Sequence, residues 1–205
     1  MPSLISHLSR PEQRELFDDL NYLNLQEIRF FCKKHSIPYS IWVETKDGQR
    51  TKTKDTDRKS VVLGRVRHFL KTGRVLEATC FAADVVRLIG PPKKLTAQHR
   101  LYYGWYDKKN KDMINLLRRL TGGEFRNGAI ARILAREFWT NGKAPTFAEF
   151  ARAWTEANKK GLWPHPEAAW LTDRARNQAG SDWKAKRERK AKAVLKIIGE
   201  IPPGR

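Results

Sequence analysis

Several features that would assign a protein to a common class are missing from this 205-residue chain. It has only two cysteines, Cys32 and Cys80, which excludes a disulfide framework and is typical of a reducing compartment. No apolar run approaches the ~18 residues that a membrane span needs, and the first residues lack the apolar core of a signal peptide. We therefore expect a cytoplasmic protein with no membrane partner.

Motifs for metal binding and catalysis are also missing. The five histidines are scattered, and no pair has the spacing of metal ligands. The chain has no Walker loop, no Gly-x-Ser-x-Gly, no His-Glu-x-x-His and no acidic cluster suited to two metals. These absences argue against an enzyme, and we expect no catalytic residue, no metal and no cofactor.

Acidic residues are scarce beside basic ones. The chain has 22 Asp and Glu against 41 Lys and Arg, which gives a net charge of +19. The excess is +5 in residues 1–73, +9 in 74–161 and +5 in 162–205, so no single tail carries it. A field of this size attracts polyanions and favours a nucleic-acid partner. The alternatives are an acidic protein or membrane surface, or a charge that serves only solubility.

Three helices are indicated in the first third of the chain. Ser9–Glu12 has the pattern of a capping box with proline in the first turn, and a second helix begins near Asn24 and continues to His35. A third spans about Arg58 to Leu70, with Gly73 as its stop.

A β-hairpin is indicated between the second and third of these helices. The Asp47-Gly48 turn is flanked by β-branched residues on both sides. On the second strand Arg50, Lys52 and Lys54 share one face, about 6.6 Å apart, which is close to the spacing of successive phosphates. The alternative is a charged edge strand that only prevents aggregation.

The middle of the chain contains a candidate domain boundary. Residues 80–88 are compatible with a short helix that ends at Gly90-Pro91-Pro92. This Gly-Pro-Pro, followed by Lys93-Lys94, is the predicted boundary, and residues 74–94 are the predicted linker. The aromatic segment 102–106 has the composition of a surface that stacks on unpaired bases, although such density is more typical of a core.

Helices are indicated again from Asn110 to Leu120, from Asn127 to Trp139, and from the capping box Thr146–Glu149 to about Lys160. The last two are joined by a short turn, which is compatible with a helix-turn-helix and equally with any two packed helices.

A final helix begins at Ser181. Its apolar stripe contains Trp183, Ala191, Val194 and Ile198, but residues 184–192 are basic nearly all round. This pattern predicts that the first half of the helix projects beyond its own core. Lys186, Arg187 and Lys190 are therefore candidate nucleic-acid contacts.

Two segments of the first third resemble a known family. Residues 23–37, LNLQEIRFFCKKHSI, resemble the first helix of a SAP domain, a helix–loop–helix module of chromatin and nucleoid proteins. Residues 59–70 resemble its second helix, with Lys59, Val62, Arg65, Val66 and Leu70 on the basic and apolar positions of the family. The chain differs in its longer connection, which holds the hairpin, and in having Asp57 where the family tends to have glycine.

The resemblance implies binding to duplex DNA, commonly A·T-rich, through the start of the second helix and the preceding loop. Arg58, Lys59 and Ser60 lie at this start, where free backbone N–H groups favour phosphate. The alternative is a first turn that is merely solvated.

Together these observations predict a mainly α protein. It has a SAP-like module with an inserted β-hairpin (1–73), a linker (74–94), a helical module (95–180) and a basic C-terminal helix (181–205). We expect a non-enzymatic, nucleoid-associated binder of nucleic acid, with duplex DNA favoured over RNA, that uses backbone contacts and shape recognition. The alternatives are an RNA- or ribosome-associated binder, and an adaptor whose C-terminal helical module binds a protein.

Overall fold

The computed structural model describes residues 3–107, 109–160 and 182–202. These residues form mainly helices and one small sheet, so the predicted mainly α class is confirmed. The helices are α1 Arg10–Asp19, α2 Leu25–Lys34, α3 Lys59–Thr72, α4 Lys111–Leu120, α5 Ala129–Thr140, α6 Phe147–Lys160 and α7 Trp183–Gly199. The strands are β1 Ser40–Glu44, β2 Arg50–Thr56 and β3 Cys80–Phe81.

The chain forms two compact units, each with its own hydrophobic core. The first unit contains the described residues of Met1–Ser40, Asp55–Ala78 and Trp163–Arg205, and the second contains those of Ile41–Lys54 and Thr79–Leu162. Both units are assembled from segments that are distant in sequence, whereas the predicted modules 1–73, 74–94, 95–180 and 181–205 are consecutive.

Local capping signals define most of the helix starts. Ser9 and Asn24 form complete capping boxes with Glu12 and Glu27, as their spacing predicts. Thr146 and Glu149 exchange the same pair of bonds at the start of α6. These bonds satisfy backbone N–H groups that a helix end otherwise leaves open.

The core of the first unit is built from α1, α2, α3 and α7. Val62, Val66 and Leu70 of α3 are buried, as the helical spacing predicts, and they pack with Ile28 and Phe31 of α2. Leu25, Ile28 and Phe31 of α2 also recur at helical spacing, but the side chain of Leu25 is exposed.

The last helix belongs to this core, and the prediction that its first half projects beyond the core is wrong. Ala191, Val194 and Ile198 are buried in the first unit. Trp183, near the helix start, stacks against Tyr22 with ring centroids 5.4 Å apart. At the other end Lys34 Nζ donates to the carbonyls of Gly199 and Ile201, at 3.1 and 2.8 Å, and a cation there complements the helix dipole. The predicted start at Ser181 lies outside the described residues.

The second unit contains the three-stranded sheet, in the order β2-β1-β3. Its hairpin turn is the predicted Asp47-Gly48 turn, with Gly48 at φ 78° and the Thr45 N–H bonded to the Gln49 carbonyl at 2.9 Å. Of the predicted helix at 80–88 only one 3₁₀ turn, Ala83–Val85, is present, because Cys80 and Phe81 form β3 and Cys80 pairs with Trp42 in a parallel ladder with β1. Strand β1, which is distant in sequence, therefore supplies the backbone hydrogen-bond partners that β3 would otherwise have found within a helix.

Helices α4, α5 and α6 complete the second unit. Their buried faces contain Met113, Ala135 and Trp154, which form one core with the sheet residues Ile41 and Phe81. No helix in the described ranges is long and apolar enough to cross a membrane.

Candidate nucleic-acid interface

Strand β2 carries the most exposed of the predicted contacts. It lies at the edge of the sheet, so one side of its backbone faces no other strand. Arg50, Lys52 and Lys54 are all exposed, and they occupy alternate positions on one face. None of the three side chains has a hydrogen bond or ion pair to another described residue, whereas the Thr53 hydroxyl between them donates to the Ile41 carbonyl at 2.9 Å.

The predicted contacts at the start of α3 are less accessible. Arg58, Lys59 and Ser60 are each half-buried. Arg58 is the N-cap and makes no side-chain capping bond. Lys59 Nζ donates to the carbonyl of Asn21, so this ammonium is already engaged within the first unit.

Two arginines of α3 have structural partners. Arg65 is buried, with a side-chain exposure of 6%, and its Nη1 lies 2.7 Å from Asp57 Oδ2. Its Nη1 and Nε also donate to the carbonyls of Pro38 and Glu77, both at 3.0 Å. Arg67 donates to the Phe17 carbonyl at 3.0 Å. Asp57 is a position at which the chain differs from the predicted SAP pattern. The structure shows it as the ion-pair partner of Arg65.

Two of the three predicted contacts on α7, Arg187 and Lys190, face the other helices of the first unit. Lys190 Nζ lies 2.6 Å from Asp19 Oδ1. Arg187 pairs with Glu27, and its Nε donates to the Tyr22 carbonyl at 3.0 Å. Lys186 is half-buried on the same helix. Arg187 and Lys190 therefore hold α7 against α1 and α2.

A second set of cations on α7 faces solvent, and the sequence reasoning missed it. Arg189, Lys192 and Lys196 are exposed. At 3.6 residues per turn they fall within a sector of about 60° on the helix surface. The sequence did indicate that these three cations are exposed, because they lie opposite the apolar residues Val194 and Ile198 on the helix. The many basic residues around them obscured this pattern.

The helix-turn-helix interpretation finds little support in the exposed surface of α6. Glu149, Arg152 and Glu156 alternate in charge along it, and Glu149 is committed to the capping box. Lys159 lies 3.8 Å from Glu156. A helix that enters a DNA groove is expected to present cations and polar groups to the phosphates, not paired acids.

Most of the aromatic segment 102–106 packs against the core of the second unit. Tyr103 and Tyr106 pack edge-on against Trp139, with ring centroids 5.5 and 6.1 Å away. Burial raises the pKa of the Tyr106 hydroxyl above its usual range, and this group lies 2.5 Å from Asn127 Oδ1. All four aromatic side chains of the segment are partly buried, and Tyr102 packs against the same core as Tyr103 and Tyr106.

The residues that the structure describes contain no group of three or more side chains able to hold a metal ion. Burial raises the pKa of the Cys32 thiol to about 12 and also raises the pKa of Cys80. Both thiols therefore stay protonated at neutral pH, and protonated thiols are poor nucleophiles.

Comparison with protein-family models, with curated proteins and with solved structures finds no match for this chain. The similarity of residues 23–70 to a SAP domain therefore stays a prediction, and the function must be argued from the residues themselves.

Proposed function

We propose that the protein binds nucleic acid, and duplex DNA in the first place, by contacting the phosphate backbone without catalysing a reaction. The observation that carries this proposal is the row of Arg50, Lys52 and Lys54 on the exposed edge strand β2. These cations have no acidic partner in the described part of the chain, so a polyanion meets them without first breaking an ion pair.

The geometry of the row suits a phosphate backbone. Alternate residues of a strand lie about 6.6 Å apart, which is similar to the separation of successive phosphates along one nucleic-acid strand. Each phosphate neutralised by a lysine or arginine releases condensed counterions, and this release supplies most of the affinity in sequence-independent binding.

Other exposed cations extend the basic surface. Arg189, Lys192 and Lys196 form a stripe on α7 in the first unit. The resemblance to a SAP domain adds the start of α3, where Arg58, Lys59 and Ser60 lie. Because Lys59 is engaged with Asn21, we place less weight on this helix start than on β2. Duplex DNA is favoured over RNA on the resemblance alone.

The test is charge reversal on β2. Lys52→Glu combined with Lys54→Glu should weaken binding to a short DNA duplex by about tenfold or more, since two phosphate contacts become repulsive. Binding is measured by fluorescence anisotropy at fixed salt, and circular dichroism checks the fold.

The matched control is Lys109→Glu combined with Lys111→Glu, which changes the net charge by the same amount. Both lysines are exposed in the second unit. Glu at this helix start does not destabilise α4. We expect the control to lose about threefold or less. Equal losses from the two pairs would leave only a long-range field and would remove β2 as the contact surface.

A further inference from the structure

Two partly buried aromatic side chains of the second unit form a small cluster with an arginine. The rings of Tyr102 and Trp105 meet edge to face, with centroids 5.0 Å apart. The guanidinium of Arg87 lies over the Tyr102 ring, 4.6 Å from its centroid. Unlike Tyr103 and Tyr106, these two aromatics make no ring contact with Trp139 among the described residues.

The backbone holds this cluster in a fixed position. The N–H groups of Arg87 and Tyr103 donate to the carbonyls of Tyr103 and Val85, at 2.9 and 2.8 Å. Between the two aromatics, Gly104 has φ 97°, and a Cβ there would lie 2.1 Å from the Arg87 carbonyl oxygen. Only glycine fits such a site. Trp105 Nε1 donates to the Ile89 carbonyl at 2.8 Å, which fixes the indole ring.

Apolar side chains beside the indole are exposed to solvent. Leu88 and Ile89 are 70% and 87% exposed, the largest such values among the aliphatic side chains of the described chain. They are adjacent in the chain, and the Ile89 carbonyl accepts the indole N–H, so two exposed apolar side chains lie beside Trp105. Exposed apolar side chains that lie together are typical of an interaction site rather than of isolated surface residues.

Charged groups accompany this surface, two by their position in the chain and four by lining a groove beside Tyr102. Lys93 and Lys94 follow Ile89 closely in the chain and are exposed. A shallow groove on the Tyr102 side is lined by Arg100 and Lys143, together with the carboxylates of Asp84 and Glu149. The surface therefore combines flat rings, apolar side chains, several cations and a few hydrogen-bond acceptors.

We propose that Arg87, Leu88, Ile89, Tyr102 and Trp105, here called the aromatic platform, bind unpaired bases of single-stranded nucleic acid. Bases stack on aromatic rings and on arginine planes, and stacking tolerates any sequence because every base has a π-face. The adjacent cations neutralise the phosphates, while a carboxylate accepts from an exocyclic amino group.

The surrounding charge favours this ligand over an apolar protein segment. An apolar segment would cover Leu88 and Ile89 but would leave Lys93 and Lys94 without counter-charge, whereas a nucleic-acid strand supplies bases and phosphates together. The inference rests on the proposed function and adds a second class of ligand, unpaired bases, to duplex phosphates.

The experiment uses the full-length chain and two probes, a 15-nucleotide oligo-dT with one central 2-aminopurine and a DNA duplex of the same length. The variants are Trp105→Ala, Trp105→Phe and Ile89→Ser, with Leu120→Ser as the control at an exposed leucine of α4 in the same unit. Anisotropy gives the affinities, 2-aminopurine fluorescence reports stacking, and thermal unfolding checks the fold.

We expect Trp105→Ala to weaken oligo-dT binding about tenfold, the loss of one stacked base, and to abolish the quenching of 2-aminopurine. Trp105→Phe should keep most of both, Ile89→Ser should weaken oligo-dT binding to a smaller extent, and Leu120→Ser should change nothing. Duplex affinity should change by less than about twofold in every variant.

Equal losses of oligo-dT and duplex in Trp105→Ala, or no loss of either, would overturn the platform while leaving the proposed function standing. If Trp105→Ala lost neither affinity, the exposed Leu88 and Ile89 would point instead to an apolar protein ligand. If the wild-type chain bound neither probe, the proposed function itself would fail.

Discussion

At the scale of single residues, the ion pair of Arg65 and Asp57 shows how a basic residue can serve the fold instead of a ligand. Both side chains are buried, and Arg65 also bonds two backbone carbonyls that precede β1 and β3. The sequence shows the basic position but not its partner, because the two residues meet only when the extended segment before α3 packs against that helix.

Replacing Arg65 with methionine should therefore destabilise the first unit without a specific effect on binding. It leaves the Asp57 carboxylate buried and unpaired, and breaking one partner of a buried pair costs about 3–5 kcal/mol. Urea unfolding measures the loss, and Arg189→Met, at an exposed position of α7, is the control that should cost less than about 0.5 kcal/mol. A stable Arg65→Met protein with weakened DNA affinity would instead place Arg65 in the interface.

His35 gives the first unit a dependence on pH. Its ring is 2% exposed and is packed between Phe31 and Phe69, with centroids 4.3 and 5.1 Å away. Burial, assisted by the charge of Lys34, lowers the pKa of His35 below its usual value. Below about pH 6.5 the unfolded chain binds a proton that the folded protein does not, so stability falls as the pH falls.

The expected result is a lower free energy of unfolding at pH 5.5 than at pH 7.5, measured by urea titration. His35→Leu should flatten this dependence, because it removes the buried group that must remain neutral. His7→Gln, at an exposed histidine, should leave the dependence unchanged. An equal loss of stability on acidification in the wild type and in His35→Leu would show that another group is responsible.

At the scale of elements, local signals in the sequence predicted where helices begin and distant contacts determined the rest. The capping residues Ser9, Asn24 and Thr146 lie within three residues of their partners, so their pattern is visible in the chain. The pairing of β3 with β1 joins Cys80 to Trp42, and no local pattern reveals it. For the same reason the predicted helix at 80–88 is reduced to the 3₁₀ turn Ala83–Val85.

Helix α7 shows the same limit for the candidate interface. Its basic residues look alike in sequence, but packing divides them into Arg187 and Lys190, which pair with acids, and Arg189 and Lys192, which face solvent. The inward set was selected from the sequence because the basic run hid the one signal that separates the two faces, the position of each cation relative to Val194 and Ile198.

The two faces of α7 should respond differently to substitution. Arg187→Ala combined with Lys190→Ala should lower the free energy of unfolding by about 1–3 kcal/mol, since two charge-assisted bonds are lost. Arg189→Ala combined with Lys192→Ala should leave stability within about 0.5 kcal/mol and should weaken duplex binding. Urea unfolding and anisotropy measure the two effects. If replacing Arg189 and Lys192 destabilised the protein more than replacing Arg187 and Lys190, the two faces of α7 would be assigned the wrong way round.

At the scale of the whole molecule, the net charge of +19 is distributed over both units. Part of it is neutralised internally, as at Arg65, Arg187 and Lys190, and those cations stabilise the fold. The remainder, of which β2 and the outer face of α7 are the clearest portions, is exposed to solvent. A protein that uses this remainder on phosphates must release counterions when it binds.

The most direct test is the affinity of the wild-type protein for a DNA duplex, measured by anisotropy over a series of salt concentrations. With several phosphates contacted at about 0.9 counterions each, the plot of log affinity against log salt should have a slope of about −4 to −7. A slope near zero, or no binding at low salt, would mean that the exposed cations do not contact a nucleic-acid backbone and would contradict the account.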